Sequence, residues 1–127
     1  MRIGVVSDTH DRAEPIAEAV RLLAEAHVEL VLHCGDIESP ETVELFRPLP
    51  TRFVFGNWDK DKPRLLAAIH SIGAVVHESF GTLELAGRSI AWTHSHERHL
   101  LRQLESVQLH TESLPEAYRV ELGGTWK

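Results

Sequence analysis

The sequence predicts an α/β fold in which a parallel sheet in the first half of the chain gives way to antiparallel strands in the second. Short apolar segments rich in β-branched residues alternate three times with segments of helical periodicity. Further on, short strands succeed one another with only a few residues between them. Four of the strands also run directly into short polar motifs, and the carboxyl ends of strands are where open α/β sheets bind ligands.

Arg2-Ile3-Gly4-Val5-Val6 reads as a buried strand that Ser7 to His10 breaks. Asp11 and Glu14 have capping-box spacing, and Ala13, Ile16, Ala17, Val20, Leu23 and Ala24 recur at three and four, so residues 12–26 form a helix with one apolar face. Val28 to His33 is the second strand, running into Cys34-Gly35-Asp36, after which Ser39 and Pro40 supply an N-cap and a proline at the first helical position. Arg52 to Phe55 is the third strand, closed by Gly56-Asn57. Asp61 and Pro63 then open a helix whose buried stripe is Leu65, Leu66, Ile69 and Ile72. This succession implies a parallel sheet with right-handed crossovers. Ala74 to Val76, Thr82 to Leu85 and Ser89 to Trp92 follow as strands separated by Gly81 and by Ala86-Gly87-Arg88, and are expected to be hairpin-like and antiparallel. A helix from Glu97 to Ser106 and a short strand around Tyr118 to Leu122 complete the prediction.

A chain of 127 residues, 43% hydrophobic and 25% charged, has the size and composition of one domain. Residues 1–127 are read as that domain, with the part from about residue 97 atypical. A net charge of -6 repels a polyphosphate backbone, and no basic patch offsets it, so nucleic acid is not an expected partner. The single cysteine, Cys34, excludes an internal disulfide, and the initial apolar stretch is too short for a signal peptide or a membrane span, so a cytoplasmic location is expected. Cys34 itself is read as packing. Homo-oligomerisation is left open.

Nine histidines are about three times ordinary usage, and histidine is the commonest metal ligand. Asp8 and His10 follow the first strand, Asp36 the second, Asn57 the third, and His94 and His96 come after Trp92. Mixed imidazole, carboxylate and amide donors suit divalent transition ions, manganese first with iron, zinc or nickel as alternatives. Asp8 and His10 alternate by two on an extended segment, so both can face one ion. Asp36 can bridge two ions, while Asn57 and His94 hold the second. Two ions about 4 Å apart acidify a shared water and clamp the attacking and leaving oxygens of a displacement at phosphorus. His27, His33, His70 and His77 are read as structural or surface groups, and Trp58 as either a wall facing the substrate or core.

At these residues the chain resembles the calcineurin-like metallophosphoesterase superfamily, specifically its small bacterial and archaeal phosphodiesterase branch. The family series of Asp-x-His, Gly-Asn-x-Asp and related motifs is met by Asp8-Thr9-His10, Gly35-Asp36, Gly56-Asn57-Trp58-Asp59 and His94-Ser95-His96. The resemblance implies a four-layer αββα sandwich of two mixed sheets flanked by helices. It implies one metal held by Asp8, His10 and Asp36 and a second by Asp36, Asn57 and His94, with Asp59 as an orienting residue. Asp36, Asn57 and His96 are then the candidate catalytic residues. Trp58 stands where many relatives carry a histidine that serves as general acid. The closing Gly-His-x-His motif has Leu109-His110-Thr111-Glu112 as its counterpart, with His110 as ligand to the second metal, and the C-terminus reads as abbreviated.

The function expected is hydrolysis of a small phosphoester, as a phosphodiesterase or phosphatase, by attack of a metal-bridging hydroxide. The alternative is a catalytically weak or inactive module of the same fold that binds protein, as the phosphoesterase-like retromer subunit does. A metal-free nucleotide-binding domain lacks support, because no Gly-x-Gly-x-x-Gly or Gly-Lys-Ser/Thr loop follows any strand.

Overall fold

The computed structural model describes residues 2–94. Four parallel strands, β1 (Ile3–Val6), β2 (Leu30–His33), β3 (Thr51–Phe53) and β4 (Val75–Val76), form one sheet in sequential order. Helices α1 (Ala13–Glu25), α2 (Pro40–Leu45) and α3 (Lys62–Ser71) connect them. The antiparallel pair β5 (Phe80–Leu85) and β6 (Arg88–Thr93) forms a second, two-stranded sheet.

The period-two alternation of the strands sorts their side chains between two cores. Val31, Phe53 and Phe55 face the helices, where they meet Ile16 and Val20 of α1, Val43 and Phe46 around α2, and Leu65 and Ile69 of α3. Leu32, Cys34 and Val54 face the other way and pack on Ile90 and Trp92 of β6. Both faces of β2 and β3 are therefore covered, which is why these segments read as unbroken apolar runs. Helices, parallel sheet and hairpin make three layers among the described residues. The helical layer expected beyond the hairpin, the helix over Glu97–Ser106 and the strand near Tyr118–Leu122 lie outside them.

Three local expectations change. Asp11 and Glu14 do not form a capping box, since α1 begins after Arg12 with no side-chain cap. Asp11 instead accepts a hydrogen bond from the Ser39 hydroxyl at 2.8 Å, tying the loop after β1 to the start of α2. Ser39 does cap α2, its oxygen accepting from Thr42 N–H at 3.3 Å, and Asp61 caps α3 through Arg64 N–H at 3.4 Å. Residues 75–76 are not part of an antiparallel meander: they add to β3 in parallel, Arg52 opposite Val75. Gly81 is not a connection but lies inside β5 opposite Trp92, whose ring comes within 2.4 Å of where a Cβ would stand. The wholly buried indole of Trp92 thus sets the residue type across from it.

Candidate metal centre

The carboxyl ends of β1 and β2 and the end of β6 meet at one edge of the molecule. Asp8 N–H donates to Gly35 O and His10 N–H to Asp36 O, both at 2.9 Å, so the loop after β1 runs alongside the loop after β2. The loop after β2 in turn lies close against the Gly56-Asn57 loop after β3, and that approach is possible because both of these motifs carry glycine. Gly35 has a φ of +102°, and a Cβ on it would stand 2.7 Å from Gly56 N. A Cβ on Gly56 would stand 2.2 Å from Asp36 Oδ1. Asp8, His10, Asp36 and Glu38 all adopt positive φ, between 50° and 72°. Left-handed backbone costs a non-glycine residue about 1–3 kcal/mol and persists only where its surroundings enforce it.

Asp59 supplies much of that enforcement. Its buried carboxylate accepts four backbone N–H groups, Oδ2 from Asp36 and Gly56 at 2.8 Å each and Oδ1 from Ile37 and Glu38 at 2.7 Å each. One side chain therefore fixes the loop of Asp36 against the loop of Asn57. A charge buried this deeply is tolerable because every bond to it is charge-assisted.

Four donor atoms converge within this frame. His94 Nε2 lies 3.2 Å from Asp36 Oδ2 and 3.9 Å from Asp8 Oδ1, and His10 Nε2 lies 3.9 Å and 4.0 Å from the same two oxygens. Two ligands each about 2.1 Å from an ion stand no more than about 4.2 Å apart, so every one of these separations suits a shared cation. Both imidazoles turn Nε2 inward. On the outer side, His94 Nδ1 is 2.9 Å from Cys34 O, a pure acceptor, and His10 Nδ1 is 3.3 Å from a Glu38 carboxylate oxygen. The proton belongs on Nδ1 in each ring, which leaves the Nε2 lone pair for a metal.

The two carboxyls respond to crowding in opposite directions. Burial, together with the neighbouring Asp8, holds the Asp36 carboxyl above the usual range against the Trp58 N–H and His94. Burial also pushes Asp8 up, but the Ser7 hydroxyl at 2.6 Å, the Asp36 carboxyl, His94 and His10 outweigh it and bring Asp8 below the usual range. Two acidic groups so close compete for one proton unless a cation lies between them.

Of the residues singled out in the sequence, Asp8, His10, Asp36 and His94 are brought together. Asn57 lies on an exposed turn beside them, next to Trp58, whose N–H donates to Asp36 Oδ1 at 3.0 Å. His96 and His110 fall outside the described residues. Trp58 is 52% exposed and so is not core. His33, wholly buried, takes Gly35 N–H on Nδ1 at 3.0 Å and must donate from Nε2 to Thr9 Oγ1 at 2.8 Å. Burial holds its pKa down to about 3, so it is a neutral strut between the loops of Thr9 and Gly35. His27 and His70 are exposed, and His77 rests edge-on against Trp92. Among the described residues, Glu38 is a site residue that sequence reasoning missed. Its only signal is an acidic residue two positions after Asp36, which does not show that a left-handed turn carries it back to His10.

Comparison with known proteins accords with this geometry. A phosphodiesterase of Methanocaldococcus jannaschii is 30% identical over 104 residues, 80% of this chain and 63% of that protein. A probable metallophosphoesterase of Methanothermobacter thermautotrophicus is 51% identical over 63 residues, 47% of this chain and 36% of its own. The chain thus spans less than two thirds of the length of these curated relatives. The solved structure of an archaeal phosphodiesterase superposes with a TM-score of 0.79 at 28% identity, covering 86% of this chain and 68% of that one. The E. coli phosphoesterase Yfce shares the fold, with a TM-score of 0.58 at 18% identity over 76% of this chain and 58% of its own. Residues 1–123 match the calcineurin-like phosphoesterase superfamily domain, and the chain belongs to that superfamily.

Proposed function

We propose that the chain is a metal-dependent phosphoesterase, a phosphodiesterase or phosphatase acting on a small phosphoester. The observation that carries this reading is the convergence of Asp8, His10, Asp36 and His94 through Nε2 and carboxylate oxygens at separations of 3.2–4.0 Å. Asp8, His10 and Asp36, whose ligand atoms lie within 4.8 Å of one another, would hold one ion. Asp36, Asn57 and His94 would hold a second, with manganese the first choice and iron, zinc or nickel alternatives. His96 as a candidate catalytic residue and His110 as a ligand of the second ion are assigned from their motifs.

Bound divalent ions supply Lewis acidity and a nucleophile at neutral pH. The chain's own part is to hold that chemistry in place. Asp36 would help to hold both ions, and Trp58 N–H fixes the orientation of its carboxylate through Oδ1. Cys34 O sets the tautomer of His94. Trp58 carries no proton that it can transfer at ordinary pH, so position 58 supplies no general acid.

Hydrolysis of bis(p-nitrophenyl) phosphate with and without added manganese tests the reading. Stimulated turnover is expected, together with its loss in a folded Asp36→Asn variant and two ions per chain by elemental analysis. Absence of turnover with any divalent metal would overturn the enzyme reading and leave the protein-binding one.

A further inference from the structure

We propose that Glu38 is the positioning residue of His10, holding its imidazole in the tautomer that offers Nε2 to the metal. The proposal rests on the reading that Asp8, His10 and Asp36 hold a cation. A Glu38 carboxylate oxygen lies 3.3 Å from His10 Nδ1, on the side of the ring away from Asp8 and Asp36. An ionised carboxylate only accepts hydrogen bonds, and a neutral imidazole carries one N–H, so the proton is drawn to Nδ1 and the lone pair to Nε2.

The backbone of Glu38 is shaped for this task at a cost. Its φ is +72°, in a region where glycine, asparagine and aspartate are at home and a long side chain has no local compensation. That conformation is held by the Glu38 N–H bond to Asp59 Oδ1 at 2.7 Å, from the same carboxylate that fixes Asp36 and Gly56. Asp59 thus positions Asp36 directly and His10 through Glu38. His94 has a carbonyl, Cys34 O, in the corresponding place. The two imidazoles are therefore oriented by different partners, one by a backbone carbonyl and the other by a side-chain carboxylate.

Two substitutions separate this role from a structural one. Glu38→Gly suits the left-handed backbone and removes the carboxylate, whereas Glu38→Gln keeps an oxygen that can accept from Nδ1. In full-length protein titrated with Zn2+ against a chromophoric chelator, Glu38→Gly is expected to weaken one ion about 10- to 100-fold. Its thermal midpoint without metal should be unchanged or higher. Glu38→Gln is expected to regain most of the affinity. In 1H–15N spectra of the zinc-loaded protein, with His10→Gln identifying the signal, His10 should carry its proton on Nδ1. Unchanged affinity in Glu38→Gly, equal loss in Glu38→Gln, or a His10 proton on Nε2 would each overturn the role of Glu38. Failure of the unsubstituted chain to bind Zn2+ would overturn the reading of the metal site instead.

Discussion

Replacing Asp59 by asparagine changes one oxygen to NH2 and should disable the candidate site without touching a ligand. The carboxylate now accepts from Asp36, Ile37, Glu38 and Gly56, two N–H groups on each oxygen. An asparagine oxygen can serve one of these pairs, and its NH2 must then face the other pair donor to donor. Two N–H groups lose their partner, at about 1–3 kcal/mol each, so the variant should be destabilised by roughly 2–6 kcal/mol. For a domain of this size, 1 kcal/mol corresponds to about 4 °C in Tm, which places the expected fall at roughly 8–24 °C. If the orphaned pair includes Asp36, the loop of Asp36 also loses its anchor, and metal affinity should fall with stability. Calorimetry with and without added manganese reads both effects. A variant melting within about 2 °C of the parent, with equal metal affinity, would refute the view that one carboxylate organises the two loops.

Two further outcomes follow from the same region. His33 is held neutral by burial, with a pKa near 3 against 6.5 for the free side chain, so the unfolded chain binds the extra proton between those values. Its contribution is complete above pH 6.5 and is lost as pH falls toward 3. The expected loss is about 2 kcal/mol between pH 6.5 and 4.5. Urea unfolding across that range should show a shallower acid slope in His33→Gln, and an unchanged slope would count against the assignment. Gly56→Ala puts a methyl group 2.2 Å from Asp36 Oδ1, which must move. Overpacking of this kind costs about 1–3 kcal/mol, and metal binding should weaken at least tenfold by chelator competition. Retained affinity would show that the contact is slack.

The sequence made the parallel half of the fold legible because burial on both faces writes continuous apolar runs into β2 and β3. It did not reveal that residues 75–76 add to that sheet, since apolar alternation marks a strand but not the direction or identity of its partner. Gly81 was misread for a related reason: a glycine in a strand looks like a turn until the ring opposite is known. The capping box failed because Asp11 has a stronger tertiary partner in Ser39. Within the candidate site, the ligand types at Asp8, His10, Asp36 and His94 could be recognised from motifs at strand ends. Glu38 could not, because its place depends on a positive φ that Asp59 imposes from 21 residues away. His33 could be read only as structural or surface, and the distinction lies in Phe46 and Phe53, which pack around its ring.

His94 follows the hairpin, whereas Asp36 follows a strand of the parallel sheet, and near the site the two layers meet through side-chain packing and the hydrogen bond between His94 Nδ1 and Cys34 O. An ion gripped from both sides would act as a rivet between them, closing a stretch of chain about as long as the 60 residues that separate His94 from Cys34. Treated as a cross-link on the unfolded chain, a closure of that length is worth up to about 4 kcal/mol. The metal would then be a structural fastener as much as a reagent. Its removal should first loosen the hairpin, seen as faster amide exchange in β5 and β6, while β2 and β3 stay protected.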